Sequence, residues 1–315
     1  MTAWRMDGKW LEYEVDEACA GMTLESLLRK RLMVSGRMLQ RLTRKNGLFL
    51  NKKRPFLQRK VKAGDRVKVL IADEAETSLD PVPMDISVLY EDDAVLVVNK
   101  PAGIVVHPVR EGQNDTLAHG IAYYWQAKGK ARAIRPVHRL DKDTSGALLV
   151  AGNSFVHSLL DKQLREHKIR RTYLALVSGY PGGQGETGTF SEPIARDPHH
   201  PIRRRADAGG DPAVTHYRVL EKFVAFPGIA EHAVSLVEVE LATGRTHQIR
   251  VHFSHHGFPL LGDTLYGGPR IKGLARQALH AHRIEFCHPV TGERQGYTAP
   301  LPEDVERLLK RFRQM

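Results

Sequence analysis

Between Gly21 and Leu70 the chain carries fifteen Lys and Arg but only two acids, Glu25 and Asp65, an excess of +13. The rest of the 315 residues holds 32 bases against 34 acids, so the whole formal charge of +11 resides in one short segment. Cations at that density cannot enter a shared interior, because a charged side chain stays out of a core unless it is paired. The bases of this segment are therefore expected on a solvated face. A field that local draws polyanions through phosphate contact and counterion release. The plain alternative is a basic face that is merely solvated. The length suits about two domains, and an apolar fraction of 42% supplies a core for each.

Within the basic segment Leu24, Leu27, Leu28 and Leu32 recur at helical spacing, with Arg29, Lys30 and Arg31 largely on the other side. This predicts a helix with Thr23 as its N-cap. Ser35-Gly36 interrupts the pattern, and Met38, Leu39 and Leu42 resume it in a second short helix bearing Arg37, Arg41, Arg44 and Lys45. Asn46-Gly47 closes that helix, Leu48-Phe49-Leu50 begins a strand and Asn51-Lys52-Lys53 turns the chain. A turn at Gly64-Asp65 then leads into period-two alternation. Two basic helices followed by short strands ending in KAGDRVKV resemble the S4 RNA-binding domain, here over residues 15–72. The resemblance implies structured RNA as the partner, contacted by Arg37, Arg41, Arg44, Lys45, Lys52 and Lys53, while the Leu and Met positions form the core.

Residues 73–85 (DEAETSLDPVPMD) are acidic and contain two prolines, so they read as a linker. From 86 to 315 strand and turn signals alternate with a few helices, at about 116–126 and 154–167, and the tail from Pro302 reads as a short basic helix. No regular βαβ spacing is present. The expected fold is α+β, a small S4-like domain followed by a domain built on a mixed, largely antiparallel sheet.

The run His138-Arg139-Leu140-Asp141-Lys142-Asp143-Thr144-Ser145-Gly146 packs an imidazole, a guanidinium and two carboxylates against a small polar turn, ahead of the apolar stretch Ala147 to Ala151. Asp and Thr-Ser in such a turn can simply cap it through side-chain to backbone bonds. The run, however, resembles the active-site signature of the RluA/RluD-type RNA pseudouridine synthases, and four further segments resemble that family in the same order. They are VLVVNKPAGIVVHP (Val95 to Pro108), RTYLALVSG (Arg171 to Gly179), GRTHQIRVHFSHHGFPLLGDTLYGG (Gly244 to Gly268) and QALHAHRIEFCHPVTGE (Gln277 to Glu293). The resemblance implies Asp141 as the catalytic aspartate, Tyr173 as the active-site tyrosine and Arg250 as the arginine beside Asp141. It also implies Arg139 as the residue that fills the space of a flipped-out base. Alternation places Arg250 on a strand, with Ile249 and Val251 turned into the core. His138 is expected to orient the loop, and Asp143 to cap the turn.

Isomerising uridine to pseudouridine breaks the C1′–N1 bond, rotates the uracil and rejoins it through C5. No redox partner or group donor is needed, so no cofactor is expected. One carboxylate can serve as nucleophile at C1′ or as proton acceptor at C2′, and both routes stay open. Sixteen histidines lack any HExxH or Cys/His framework, and no metal is expected. A kinase catalytic loop is excluded, because Leu140 interrupts HRD and Gly146 stands where its Asn belongs. Large-subunit (23S) ribosomal RNA is the substrate implied by the family's S4-bearing members. The alternatives are a tRNA substrate, or a non-catalytic RNA-binding or ribosome-assembly factor that keeps the cleft for binding only. Two isolated cysteines, no signal-peptide pattern and no membrane-length apolar run lead to the expectation of a cytoplasmic protein without membrane contact. A monomer is expected, though no residue pattern here argues for it.

Overall fold

The computed structural model describes residues 5–7, 9–71, 79–130, 132–224 and 233–314. The chain opens with β1 (Arg5–Asp7), β2 (Trp10–Glu14), α1 (Leu24–Lys30), α2 (Gly36–Arg44), β3 (Leu48–Leu50) and β4 (Arg66–Leu70). The four strands form an antiparallel sheet in the order β1-β2-β4-β3. Thr23 Oγ1 accepts from the Ser26 N–H at 3.2 Å and starts α1, and Ser35 Oγ does the same for α2 with the Met38 N–H at 3.2 Å. Leu24, Leu27, Leu28, Leu39 and Leu42 are all buried beneath the sheet's apolar positions. β2 pairs with β4 along its whole length, so the sheet extends ahead of residue 15. Leu11 and Tyr13 turn inward there while their neighbours stay more exposed, the two-residue period of a half-buried strand.

Residues 73–78 of the linker lie outside the described residues. Its second half lies against the following domain, where the Val82 N–H donates to His119 O at 3.3 Å. Gly120 makes room for it, since a Cβ there would meet Met84 Sδ at 2.7 Å.

The second domain follows as β5 (Val88–Glu91), β6 (Val95–Lys100), α3 (Leu117–Ala127), β7 (Arg135–Pro136), β8 (Ser145–Ala151), α4 (Ser154–Arg165), β9 (Arg170–Ser178), β10 (Thr187–Phe190), β11 (Ile194–Arg196), β12 (Arg204–Ala206), β13 (Thr215–Phe223), β14 (Val234–Leu241), α5 (Gln248–His255), β15 (Leu279–Cys287), β16 (Arg294–Thr298) and α6 (Glu303–Arg313). Its large sheet runs β10-β13-β14-β9-β15-β8-β6-β5, with β16 on β15 and β7 on β8. Every pairing is antiparallel except β15 with β8, which is parallel. The fold is thus α+β on a mixed, largely antiparallel sheet.

β6 and β8 are buried on both faces, and strand alternation divides their side chains. Leu96, Val98, Leu148 and Val150 join Leu117, Ile121 and Trp125 of α3 in one core. Val95, Val97 and Leu149 join Phe155, Val156 and Leu160 of α4 in another. Each such aliphatic side chain contributes about 1.5–3 kcal/mol by leaving water. The parallel contact needs a glycine. Gly146 holds a φ of 116°, and a Cβ on it would meet the Ala281 carbonyl oxygen at 2.2 Å. This seam carries the loop that precedes β8, and with it Asp141.

Candidate active site

The loop 138–144 is fastened from both sides of the seam. On one side Lys100, wholly buried, donates from Nζ to Pro101 O (2.8 Å), Ile104 O (2.8 Å) and Lys142 O (2.9 Å). Burial pushes this lysine down to about 7, against the pull of Asp143 and Asp141. Three carbonyls at such distances call for three N–H donors, which only the ammonium form supplies. On the other side Arg276 Nη1 donates to Asp143 O (3.0 Å), Gln277 Nε2 to Thr144 Oγ1 (3.3 Å), and Ser145 Oγ pairs with His280 Nδ1 (3.0 Å). His138 accepts the Leu149 N–H at Nε2 (3.3 Å), and burial pushes its pKa down to about 3, so it ties the loop to β8 as a neutral ring.

Asp141 is half-buried at this loop, and Arg250 Nη1 reaches its Oδ2 at 3.3 Å. The Arg250 guanidinium is itself fixed by a two-point bond to buried Asp263, Nε to Oδ2 at 2.7 Å and Nη2 to Oδ1 at 2.8 Å. Its Cζ lies 4.9 Å from the centre of the Tyr266 ring. Burial works against the charge on Arg250, but the bonds to Asp263 and Asp141 win and raise its pKa above the ordinary arginine value. Tyr173 is buried in β9 within the core that also holds Leu140 and Ile249. Burial raises the pKa of its phenol against the pull of Arg171, and Asp141 adds to the rise, so the phenol keeps its proton. Arg139 is exposed beside buried Leu140.

Arg250 does not stand on a strand. It lies in helix α5, whose first six residues are all buried. A short run alternating polar and apolar residues fits a helix that is covered all round as well as it fits a strand. Here Gln248 decides between them, accepting from the Arg245 N–H (2.9 Å) and Thr243 Oγ1 (2.8 Å) while donating to Val214 O (2.9 Å). These bonds fold the Gly244–His247 turn into a helix start.

The expected RNA ligands group on the small unit. Arg41 and Arg44 lie on α2 with Lys45 at its C-cap, and Lys52 and Lys53 are exposed on the loop after β3. Arg37 is also in α2, but its side chain lies outside the described part of the structure. Lys100, His247, Asp263 and Tyr266 were not singled out from the sequence. Three of them fall inside the quoted segment 244–268, and Lys100 inside 95–108, where a lysine between a buried strand and a proline was the available signal.

A sequence profile described as RNA pseudouridylate synthase matches residues 94–255, about half the chain. The chain belongs to that family. Its relatives include an uncharacterized RNA pseudouridine synthase, YhcT, of Bacillus subtilis, 41% identical over 97% of this chain and 98% of that one. Ribosomal large subunit pseudouridine synthase D of Neisseria meningitidis is 38% identical over 93% of this chain and 79% of its own length. Among solved structures, human RNA pseudouridylate synthase domain containing 1 is 26% identical with a TM-score of 0.53, over 73% of this chain and 96% of that one. This pseudouridylate synthase is therefore an isomerase acting on uridine in RNA. Among its described residues no helix is long and apolar enough to cross a membrane.

Burial holds several histidines of this synthase neutral. His138 is pushed to about 3 and His280 to about 4, and burial also lowers His247, His252 and His282. In the unfolded chain these rings take up protons near pH 6.5, so the unfolded state binds more protons below that value. Stability is thus fully present above about pH 6.5 and is lost as pH falls toward 4 and 3. Urea unfolding from pH 7 to pH 4 is expected to lose on the order of 5 kcal/mol. A flat profile would show that these rings are not held neutral.

Proposed function

We propose that this synthase modifies large-subunit (23S) ribosomal RNA in the cytoplasm, as a single chain, with Asp141 as the group that reacts with the nucleotide. The observation that carries the role of Asp141 is the convergence of Arg250 Nη1 (3.3 Å) and His247 Nε2 (3.9 Å) on one oxygen, Oδ2. The other oxygen, Oδ1, is then the one presented to C1′ or to the C2′ proton. The C1′–N1 bond breaks, the uracil turns, C1′–C5 forms, the C5 proton leaves and N1 ends protonated, so atoms balance without a co-reactant. A stacked base must first leave its helix. Exposed Arg139 would occupy the vacated space, and the Tyr173 ring would lie against the extruded uracil. All of these groups come from one chain, which supports action as a monomer. The ribosomal substrate is supported by relatives named as ribosomal large subunit pseudouridine synthases, and tRNA is the competing target. Comparing pseudouridines in 23S rRNA and tRNA from cells with and without the gene tests it. Loss of a 23S site supports the proposal, and loss confined to tRNA overturns it.

The basic unit, which we read as S4-like over residues 15–72, supplies phosphate contact through Arg37, Arg41, Arg44, Lys45, Lys52 and Lys53. Deleting residues 1–75 is expected to weaken binding to structured RNA and to flatten its salt dependence, since each phosphate contact contributes about 0.9 to the slope of log K against log salt. An unchanged slope would move the phosphate footprint elsewhere.

A further inference from the structure

Two hydrogen bonds lead from the arginine-bearing hairpin β11–β12 to His247, whose ring faces the Asp141 carboxylate. The Arg204 backbone N–H donates to Tyr266 Oη at 2.9 Å, and Tyr266 Oη lies 2.8 Å from His247 Nδ1. His247 Nε2 then faces Asp141 Oδ2 at 3.9 Å. The direction of the bonds follows from the groups. Burial raises the pKa of Tyr266, so its proton is present, and its oxygen already receives the Arg204 N–H. That proton goes to Nδ1, and Nε2 carries the ring's own hydrogen toward the carboxylate. The opposite tautomer would set a lone pair against a carboxylate oxygen. Burial also keeps His247 neutral, against the pull of Asp141. The residue holds a left-handed backbone, φ 59°, a strained conformation for a non-glycine that surrounding structure must impose.

We propose that His247 is a positioning residue, whose Nε2–H, locked by Tyr266 and the hairpin, steadies Oδ2 so that Oδ1 meets the nucleotide. The proposal rests on Asp141 as the reactive group. The test is single-turnover conversion and RNA affinity for His247→Phe, His247→Gln and Tyr266→Phe, with Asp141→Asn alongside and folding checked by thermal melting. His247→Phe is expected to slow conversion about 10- to 100-fold, the worth of a bond to a charged acceptor once Nε2–H closes from 3.9 Å onto Oδ2 in the RNA complex, with affinity within a few-fold. Gln should recover part of the rate, because its carboxamide keeps an N–H. Tyr266→Phe keeps the ring over Arg250, yet should share the loss, and the double variant should be no slower than His247→Phe alone. Unchanged conversion in His247→Phe, or losses that multiply in the double variant, would overturn the role of His247. Turnover by Asp141→Asn would instead overturn the reading of the site beneath it.

A different observation carries a second proposal. Phe56 is 88% exposed, in a loop whose neighbours Lys52, Lys53, Arg54, Arg59 and Lys60 are exposed cations. The loop is anchored rather than loose. Leu50 and Lys53 exchange backbone bonds at 2.8 and 3.0 Å, Arg59 N–H donates to Phe56 O at 3.0 Å, and Glu25 N–H to Leu57 O at 2.9 Å. We infer that Phe56 is a stacking platform for an unpaired nucleobase of the RNA that the basic unit grips. Stacking contributes through the π-face, cations through counterion release, so salt separates them. Filter binding of the full chain should show Phe56→Ala losing about 5- to 100-fold in affinity at an unchanged salt slope, and Phe56→Trp retaining it. Lys52→Ala with Lys53→Ala should flatten the slope instead. Wild-type affinity in Phe56→Ala overturns the stacking site, whereas an unchanged slope in the lysine variants overturns the RNA-binding role of the unit itself.

Discussion

Asp141→Asn is expected to abolish isomerisation while RNA affinity stays within a few-fold of the unaltered chain. The substitution keeps the size of the side chain and leaves it a carbonyl oxygen that can still accept from Arg250. What it removes is the charge that attacks C1′ or takes the C2′ proton. Binding is expected to depend chiefly on phosphate contacts, which we assign to other residues. The measurement is tritium release from RNA labelled at uridine C5, beside a binding titration. Turnover above a few percent would remove Asp141 from the reaction, and a matching loss of affinity would make it an RNA-docking residue.

Asp263→Ala is expected to be the most destabilising single change near the site, although Asp263 need never touch the RNA. It holds the Arg250 guanidinium at two points, and the two side chains are 1% and 8% exposed. Removing one partner of a buried pair leaves the other charge without compensation, at a cost of about 3–5 kcal/mol. For a domain of this size that corresponds to a fall in Tm on the order of 10 °C. Arg250 would then have Asp141 as its remaining carboxylate partner among those described, so it should swing toward the loop and slow conversion as well. Calorimetry and single-turnover rates check both halves, and a Tm within about 2 °C of wild type would contradict the burial argument.

The helices of the basic unit were legible because leucine spacing and a threonine cap are local signals, and Thr23 caps α1 as the spacing predicts. The α+β class was legible for the same reason, from alternation and turn residues. β1 and β2 were not, since a polar opening gives no pattern until β4 supplies the partner that buries Leu11 and Tyr13. At the site, motif order placed Asp141 and Arg250 together across 109 positions, and the 3.3 Å contact is present. The helical setting of Arg250 escaped, because Gln248 braces the first turn through Thr243 and Val214, neither of which marks a helix start in sequence. Asp263, Tyr266 and His247 lay inside the quoted segment 244–268, but only the folded chain shows that Asp263 holds Arg250 and that Tyr266 holds His247.

The parallel seam between β8 and β15 has a consequence for synthesis. Asp141, Tyr173 and Arg250 all precede residue 279, where β15 begins, yet the Asp141 loop is fastened by Arg276, Gln277 and His280. A nascent chain emerging from a ribosome would carry all three residues proposed for the site before β15 could join the sheet beside their loop. Chains halted before residue 279 lack β15 and the His280 bond to Ser145, and should fail to isomerise uridine even where their basic opening segment still binds RNA.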